Sequence, residues 1–219
     1  MTKESRKNIA YNYLREAILT WKLHPGSPIV EQDISDQLSI SRTPVREALK
    51  LLEAEGLVKV MPQRGTFVFE LSTQDVEEIF ALRENLEVLA LQAAIQSIPI
   101  DELNNLEAYL TTLTEQSPPE HFFTSDRQLH ALIVVNGGNE RLALFLDSLN
   151  AQVEQVRRVS ALRPNRLDVS MREHLAIVQA IQARDIITAE AELRQHIRNV
   201  KQSTLDVCRN MWWQGTIGK

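Results

Sequence analysis

The stretch "ISRTPVREALKLLEAEGLVKVMPQRGTFV", residues 40–68, decides the fold of the N-terminal part of the chain. Ser41 is placed to cap a helix, Pro44 suits the first helical turn, and Gly56 suits the helix end. The segment after Gly56 is rich in Val, Thr and Phe, which is typical of strands, and it is interrupted by a turn at 63–65. A helix followed by a two-stranded β-ribbon is therefore predicted.

Two further helices are predicted ahead of this one. In "RKNIAYNYLREAILTW", four residues recur at a spacing of four and share one helix face: Ile9, Tyr13, Ala17 and Trp21. "LHPGSPIV" is a turn, because Pro and Gly stop a helix, and "EQDISDQLS" is a short helix. Helix, turn, short helix, longer helix and β-ribbon is the order of a winged helix-turn-helix.

The third helix separates apolar from cationic residues. Its apolar side consists of Val45, Ala48, Leu49 and Leu52. Arg42 and Arg46 fall on a different stripe, at the N-terminal end that usually reads bases in the major groove, and arginine can bind guanine bidentately there. Arg64, beside Gly65 at the ribbon tip, is placed to reach phosphate or a minor groove. Charge spacing alone is equally compatible with a solvated helix face, but the Pro44 helix start and the glycine-tipped ribbon favour DNA.

Composition limits the function classes. The chain has 219 residues and a formal net charge of -5, so it is not a generally basic nucleic-acid coat. Residues 1–70 hold 10 Lys and Arg against 9 Asp and Glu, whereas the remainder holds 14 against 20. The single cysteine excludes an internal disulfide and a cysteine-cluster zinc site. No signal peptide and no apolar run of about 18 residues is present, so we expect a soluble cytoplasmic protein.

After residue 70 the strand signals disappear and helical patterns take over. Six helices are predicted, over about 73–97, 101–116, 119–135, 140–162, 168–183 and 187–210. The fold class is thus mainly α: a winged helix-turn-helix with a β-ribbon wing at 1–70, a linker at 71–73, and an all-α six-helix bundle at 74–219. The final "NMWWQGTIGK" carries two adjacent tryptophans, which would pack on the bundle or across subunits.

Three histidines of the second part, His130, His174 and His196, each lie mid-helix on an apolar stripe. Asp126 precedes His130 by four residues, so both project from one helix face. His174 and His196 are each 11 residues from Asp185, which places them level in an antiparallel hairpin. Helix bundles build metal sites from such facing side chains. Spacing alone leaves a metal site and hydrogen-bonded core histidines about equally open.

Arg83 and Glu87 share the apolar side of the helix that starts near 73. An arginine on that side needs an anionic partner, because an unpaired buried charge is costly. Arg83 therefore either forms an ion pair, with Glu87 or across helices, or faces the metal cavity and receives a carboxylate ligand.

The motifs of residues 8–70 resemble the DNA-binding domain of the GntR family of bacterial transcription regulators. The resemblance rests on L-x-P-G at 23–26, S-R-T-P-V-R-E-A-L at 41–49, E-G-L at 55–57 and R-G-T-F-V at 64–68. It implies a homodimer on double-stranded DNA with a palindromic operator. It also implies DNA contacts by the recognition helix and the wing turn, at Arg42, Thr43, Arg46, Arg64 and Gly65.

Residues 74–205 resemble the all-helical FCD effector domain of the FadR-type branch, and the compact six-helix pattern is similar to the VanR-type subgroup. The family's ligand pattern is an aspartate, a histidine four residues later, and one histidine from each of the last two helices. Asp126, His130, His174 and His196 match it one by one. Leu129 departs from the family, which often has an aromatic residue there. The resemblance implies one divalent transition metal per chain, with Zn, Ni, Mn and Fe all open, and a small organic acid effector.

The expected function is a metabolite-responsive transcriptional regulator, most often a repressor in this family, with Arg83 as an effector-binding residue. One alternative is a constitutive DNA-binding regulator with a purely structural metal. A metal-dependent enzyme is the rival from another class, since a His/Asp centre with open positions can perform hydrolysis or oxygen chemistry. No nucleophile motif, phosphate loop or general base accompanies the proposed ligands, so we expect no enzyme and no catalytic residues.

Overall fold

The computed structural model describes residues 5–213, with side chains up to residue 209. These residues form two compact units. One holds the chain up to Ser72 together with Ser148–Gln155 and residues 211–213, and the other holds Thr73–Asp147 and Val156–Asn210. Over the described residues, no helix is both long and apolar enough to cross a membrane. The tryptophan side chains at 212 and 213, whose packing the sequence left open, lie outside the described side chains.

The N-terminal part of the first unit is a winged helix-turn-helix, as predicted. Its elements are α1 (Arg6–Leu19), β1 (Pro28–Ile29), α2 (Glu31–Leu38), α3 (Arg42–Ala54), β2 (Val58–Met61) and β3 (Gly65–Val68). The sheet is antiparallel in the order β1-β3-β2. The strand β1 lies in "LHPGSPIV", which was predicted as turn only. A proline is tolerated there because β1 is an edge strand, paired on one side with β3.

The helix and turn signals around α3 are confirmed in position. Ser41 occupies the N-cap with an extended backbone, although its side chain makes no capping hydrogen bond. Gly56 follows the helix at φ +71°, where a left-handed residue ends a helix without steric cost. The β2–β3 turn places Gln63 at φ +63° and Gly65 at φ +108°.

The face predicted for α1 from Ile9, Tyr13, Ala17 and Trp21 is only partly the buried one. Its buried residues are Ala10, Leu14, Ala17, Ile18 and Leu19, whereas Ile9 is exposed. Trp21 lies beyond the helix end. The true stripe is shifted by one residue because α1 packs on α3 through its aliphatic side chains, so that the tyrosines stay near the surface. The Tyr11 hydroxyl donates to Glu55 Oε1 at 2.7 Å, which explains why this ring stays at the rim.

The second part of the chain consists of six helices, as predicted: α4 (Thr73–Ala94), α5 (Ile100–Thr112), α6 (Pro119–Asn136), α7 (Glu140–Ser160), α8 (Arg166–Gln182) and α9 (Ile186–Trp213). The end of α5 comes four residues earlier than predicted, because Leu113 adopts an extended backbone and is buried. Helix α8 begins at Arg166 rather than near 168, following Asn165 at φ +60°.

Helix packing brings the histidine-bearing helices together. Helix α6 packs against α4, α5 and α8. The helices α8 and α9 meet at a tight turn, where Arg184 has φ +55° and Asp185 Oδ1 accepts a hydrogen bond from Thr188 N at 3.1 Å. This turn fixes the register of α8 against α9, and so the relative height of His174 and His196.

Candidate functional site

The N-terminal half of α3 presents a polar, cationic surface. Arg42, Thr43 and Arg46 are exposed there. On the opposite side, Val45 and Ala48 are completely buried. The apolar and cationic sides of α3 are therefore separated as the sequence predicts, and the DNA contacts of the exposed side stay a prediction.

The two recognition-helix arginines are held by side chains of α2. Arg42 Nε donates to Gln32 Oε1 at 2.5 Å. Arg46 donates to Glu31 twice, from Nε to Oε1 at 3.0 Å and from Nη2 to Oε2 at 2.7 Å. The hydrogen bond from Arg46 is the main cause that lowers the pKa of Glu31. Other N–H groups of both guanidinium groups take no part in these contacts.

The wing carries the other predicted contacts. Arg64 and Gly65 are both exposed at the β2–β3 turn. A Cβ added to Gly65 would meet no atom within 4 Å, so the glycine is required by its positive φ rather than by crowding.

Three histidines and one aspartate converge inside the helical bundle. His174 Nε2 lies 3.3 Å from His196 Nε2 and 3.3 Å from Asp126 Oδ1. Asp126 Oδ1 is 3.7 Å from His196 Nε2, and Asp126 Oδ2 is 3.9 Å from His130 Nε2. One donor atom from each residue lies within 4.8 Å of all the others, and all four residues are buried. We call these four residues the histidine cluster.

Two glutamates set the proton positions on two of these imidazoles. Glu87 Oε2 contacts His130 Nδ1. Glu173 Oε2 lies 2.8 Å from His196 Nδ1. A carboxylate accepts hydrogen bonds, so we assign the proton of each neutral imidazole to Nδ1. The Nε2 lone pairs of His130 and His196 then point into the cluster.

Electrostatics keeps His130 and His196 neutral and keeps Asp126 and Glu87 charged. Burial lowers the pKa of His130, and burial together with the neighbouring His174 lowers the pKa of His196 to about 3. Burial by itself would raise the pKa of Asp126, but Arg157 and His130 prevail and lower it well below its usual value. Burial also opposes ionisation of Glu87, yet Arg83 and His130 lower its pKa to about 2.

Arg83 is 1% exposed and forms the ion pair with Glu87 that its position predicts, with Nε 2.5 Å from Oε1. Its Nη2 is buried and has no hydrogen-bond partner. Arg83 therefore reaches His130 through Glu87, and its effector-binding role stays a prediction.

A small pocket opens beside the cluster and includes Asp126 and His174 in its wall. Two buried arginines, Arg157 and Arg166, also line it. Arg157 Nε contacts Asp126 Oδ2 in an ion pair that lacks hydrogen-bond geometry. Neither arginine was predicted from the sequence, and neither was Glu173. A usable signal was present, since Arg166 and Glu173 are seven residues apart and so lie on one face of α8.

The remaining two histidines take no part in the cluster. His24 lies in an exposed turn, and His121 is exposed in the first turn of α6. A winged helix-turn-helix joined to a helical bundle with a buried histidine cluster defines a DNA-binding regulator with a separate effector domain.

The family comparisons agree with this class. Residues 7–68 match the bacterial regulatory proteins of the gntR family, and residues 78–199 match the FCD domain. The chain belongs to the GntR family of transcriptional regulators and carries an FCD effector domain. Because the family and its relatives are transcriptional regulators, the chain is a DNA-binding regulator and not an enzyme.

Individual relatives and solved structures are similar to this chain over most of its length or over its FCD domain. The chain is 28% identical over 200 residues to the HTH-type transcriptional repressor RspR of Escherichia coli, covering 90% of this chain and 88% of that protein. It shares the fold of E. coli McbR/YncC, with a TM-score of 0.75, 21% identity, and coverage of 95% and 99% of the two chains. The Zn²⁺-bound FCD domain of TM0439 matches with a TM-score of 0.54 and 24% identity, covering 63% of this chain and 96% of that one.

Proposed function

We propose that this chain is a homodimeric repressor whose operator affinity is lowered by a small carboxylate ligand at a metal-containing pocket. Residues 1–70 form the DNA-binding domain, 71–73 the linker, and 74–219 the effector and dimerisation domain. Because its target is chromosomal DNA, the protein works in the cytoplasm. The observation that carries this proposal is the buried convergence of three imidazoles and one carboxylate.

The donor set of the histidine cluster fits a divalent transition metal. Zn–N bonds of about 2.0–2.1 Å separate two tetrahedral ligands by about 3.4 Å. The separations of 3.3 Å between His174 Nε2 and His196 Nε2, and between His174 Nε2 and Asp126 Oδ1, match that spacing. His130 Nε2 is buried and has no hydrogen-bond partner, as expected of a ligand atom.

Imidazole nitrogens suit zinc and nickel, and the aspartate also admits manganese or iron. The FCD domain of TM0439 was solved with Zn²⁺ bound, which supports metal binding by the FCD domain of this chain. When bound, the ion supplies Lewis-acid positions that accept a carboxylate oxygen. The identity of the metal stays open.

The charges around the cluster favour an anionic effector. Three arginines balance three carboxylates here: Arg83, Arg157 and Arg166 against Glu87, Asp126 and Glu173. With neutral histidines this group of residues has no net charge. A divalent cation would leave an excess positive charge in a buried place, which is costly unless anions offset it. The negative charge of a carboxylate ligand would offset this excess positive charge.

The pocket suggests where such a ligand would bind. Arg157 and Arg166 line it together with Ser160 and Ser170, and apolar side chains complete the wall. In our proposal the carboxylate lies beside Asp126 and His174, and a second anionic group is held by an arginine. Arg83, with its unpartnered Nη2, is the residue predicted for that second role.

For DNA binding, we assign base contacts to Arg42, Thr43 and Arg46, and phosphate or minor-groove contacts to Arg64 and Gly65. Two recognition helices about 34 Å apart, one turn of DNA, would read a palindromic operator, which requires a homodimer. The proposal that this chain represses rather than activates transcription is supported by the relative RspR, which is named a repressor.

The test is an operator-release titration. Zinc-loaded protein is bound to DNA flanking its own gene and titrated with small mono-, di- and tricarboxylates, using wild type, Arg83→Ala and His174→Ala. His121→Ala is the matched control, because this exposed histidine lies on α6 outside the cluster. At least one carboxylate should weaken operator binding by wild type and the control by about 5- to 150-fold. It should lose that effect in the other two variants.

Two results would contradict the proposal. A carboxylate that acts equally on all four proteins rules out the site. No response from wild type to any carboxylate favours the alternative of a constitutive regulator with a structural metal.

A further inference from the structure

Two histidines of the cluster, His130 and His196, are each contacted by a glutamate that in turn pairs with an arginine. In the first chain of contacts, which we call the α4 support, Arg83 Nε lies 2.5 Å from Glu87 Oε1, and Glu87 Oε2 contacts His130 Nδ1. Arg83 and Glu87 lie on α4, whereas His130 lies on α6. All three residues are buried.

The second chain, which we call the α8 support, repeats this order. Arg166 donates to Glu173 from Nη1 at 3.1 Å and from Nη2 at 2.8 Å. Glu173 Oε2 lies 2.8 Å from His196 Nδ1, and Asn199 Nδ2 donates to Glu173 Oε1 at 2.7 Å. Arg166 and Glu173 lie on α8, and His196 lies on α9.

Each support has a chemical consequence. The arginine donates a hydrogen bond to its glutamate, and the glutamate accepts the Nδ1 proton of the imidazole. This fixes the ring orientation, leaves Nε2 as a lone pair directed into the cluster, and raises the basicity of that nitrogen. Removing such a partner from a metal ligand typically costs 10–100-fold in metal affinity.

The two supports differ in their place along the chain. Helix α4 begins at Thr73, the residue that directly follows Ser72 at the end of the first unit's N-terminal segment. The residues of the α8 support lie on consecutive helices, in the part of each helix that belongs to the second unit. A movement of His130 would therefore be transmitted to α4 through its contact with Glu87. A movement of His196 would be transmitted to α8 through its contact with Glu173.

We propose that Glu87 and Glu173 are positioning residues for the histidine cluster, and that Glu87 also couples the occupancy of the cluster to α4 and so to the operator-binding residues. This inference rests on the proposed function. It adds to the proposed function that Glu87 and Glu173 affect metal affinity alike but differ in their effect on DNA binding.

The first test needs no variant. Metal-free wild-type protein labelled with ¹⁵N-histidine should show the Nδ1–H tautomer for both His130 and His196 by NMR. An Nε2–H tautomer at either residue overturns its support.

The second test compares Glu87→Gln, Glu173→Gln and Glu84→Gln in the full chain. Glu84 is the matched control, because it also lies on α4 but pairs with Arg194 and Arg198 on α9. Zinc affinity by chelator competition should fall about 10- to 100-fold for the first two and stay within about twofold of wild type for the control. The Co²⁺ absorption spectrum should change in the same two variants only.

The third test measures operator affinity at saturating zinc and without metal, on DNA selected from a random pool by wild type. The ratio of the two affinities should approach one in Glu87→Gln and stay at the wild-type value in Glu173→Gln. A wild-type ratio of one, or equal ratios in the two variants, overturns the coupling.

The failure of this inference is distinguishable from that of the proposed function. If wild type binds no zinc, the proposed function itself fails. If wild type binds zinc and His174→Ala does not, but both glutamine variants bind it like wild type, only the positioning role fails.

Discussion

Replacing Arg157 by methionine should make the stability of this protein strongly dependent on metal. Arg157 Nε forms an ion pair with Asp126 Oδ2, and each side chain is 7% exposed. Methionine keeps a long apolar side chain but removes the cation. In the metal-free protein, Asp126 then becomes a buried anion without its arginine, near His130 and His196, which burial keeps neutral.

The magnitude follows from that geometry. Removing one partner of a buried ion pair costs about 3–5 kcal/mol. At about 2–4 °C per kcal/mol for a protein of this size, the melting temperature of metal-free Arg157→Met should fall by about 6–20 °C. Zinc should restore most of this loss, because a cation beside Asp126 replaces the missing charge. Zinc should therefore raise the melting temperature of Arg157→Met more than that of wild type.

The assay is thermal unfolding followed by circular dichroism, with chelator and with excess zinc. Arg158→Met is the matched control on the same helix, because Arg158 pairs with Glu120, whose side chain is 56% exposed, so that the carboxylate left behind stays solvated and its loss of a partner costs less. A metal-free Arg157→Met that melts like the control would refute the reasoning. So would a zinc-induced shift equal to that of wild type.

Three further expectations concern DNA, assembly and the core. Arg42→Ala or Arg46→Ala should weaken operator binding by about 1–3 kcal/mol and relax base preference, whereas Arg64→Ala should weaken binding to all sequences and reduce its salt dependence. Fluorescence anisotropy on operator and scrambled DNA at several salt concentrations checks this, and wild-type behaviour of all three variants would contradict it. Light scattering at micromolar concentration should give the mass of a dimer, and a monomer with and without DNA would exclude it. Leu129→Ala, at a completely buried site, should lose about 2–5 kcal/mol in urea unfolding, and a loss below about 1 kcal/mol would show that this site tolerates a cavity.

Much of this architecture is predictable from the sequence because its signals are local. Gly56 and Gly65 adopt the positive φ angles that glycine tolerates, and they bound α3 and the wing as expected. His174 and His196 are equally far from Asp185 along the chain, which predicted that they align. Residues at equal distances from the turn of an antiparallel helical hairpin lie at the same level on its two helices. The 3.3 Å between their Nε2 atoms agrees with that argument.

Other features depend on packing between distant segments, which local patterns do not contain. Two faces of α1, offset by one residue, are similarly apolar, and only the packing on α3 selects the one with Leu14 and Ile18. Arg157 is seven-tenths of the way along the chain and meets Asp126 only because α7 and α6 are neighbours in space. An arginine at a helix end is more often solvated, so nothing in the sequence alone marks it as the partner of a cluster residue.

Metal content tests the central claim most directly. Protein purified without chelator and exposed to zinc, nickel, manganese and iron should hold close to one equivalent of divalent metal per chain in wild type and in the control His121→Ala. A double His174→Ala/His196→Ala variant that remains folded should hold almost none, because two of the four donors of the histidine cluster are gone. Full occupancy in the double variant, or a wild-type protein that takes up no metal, would contradict the account.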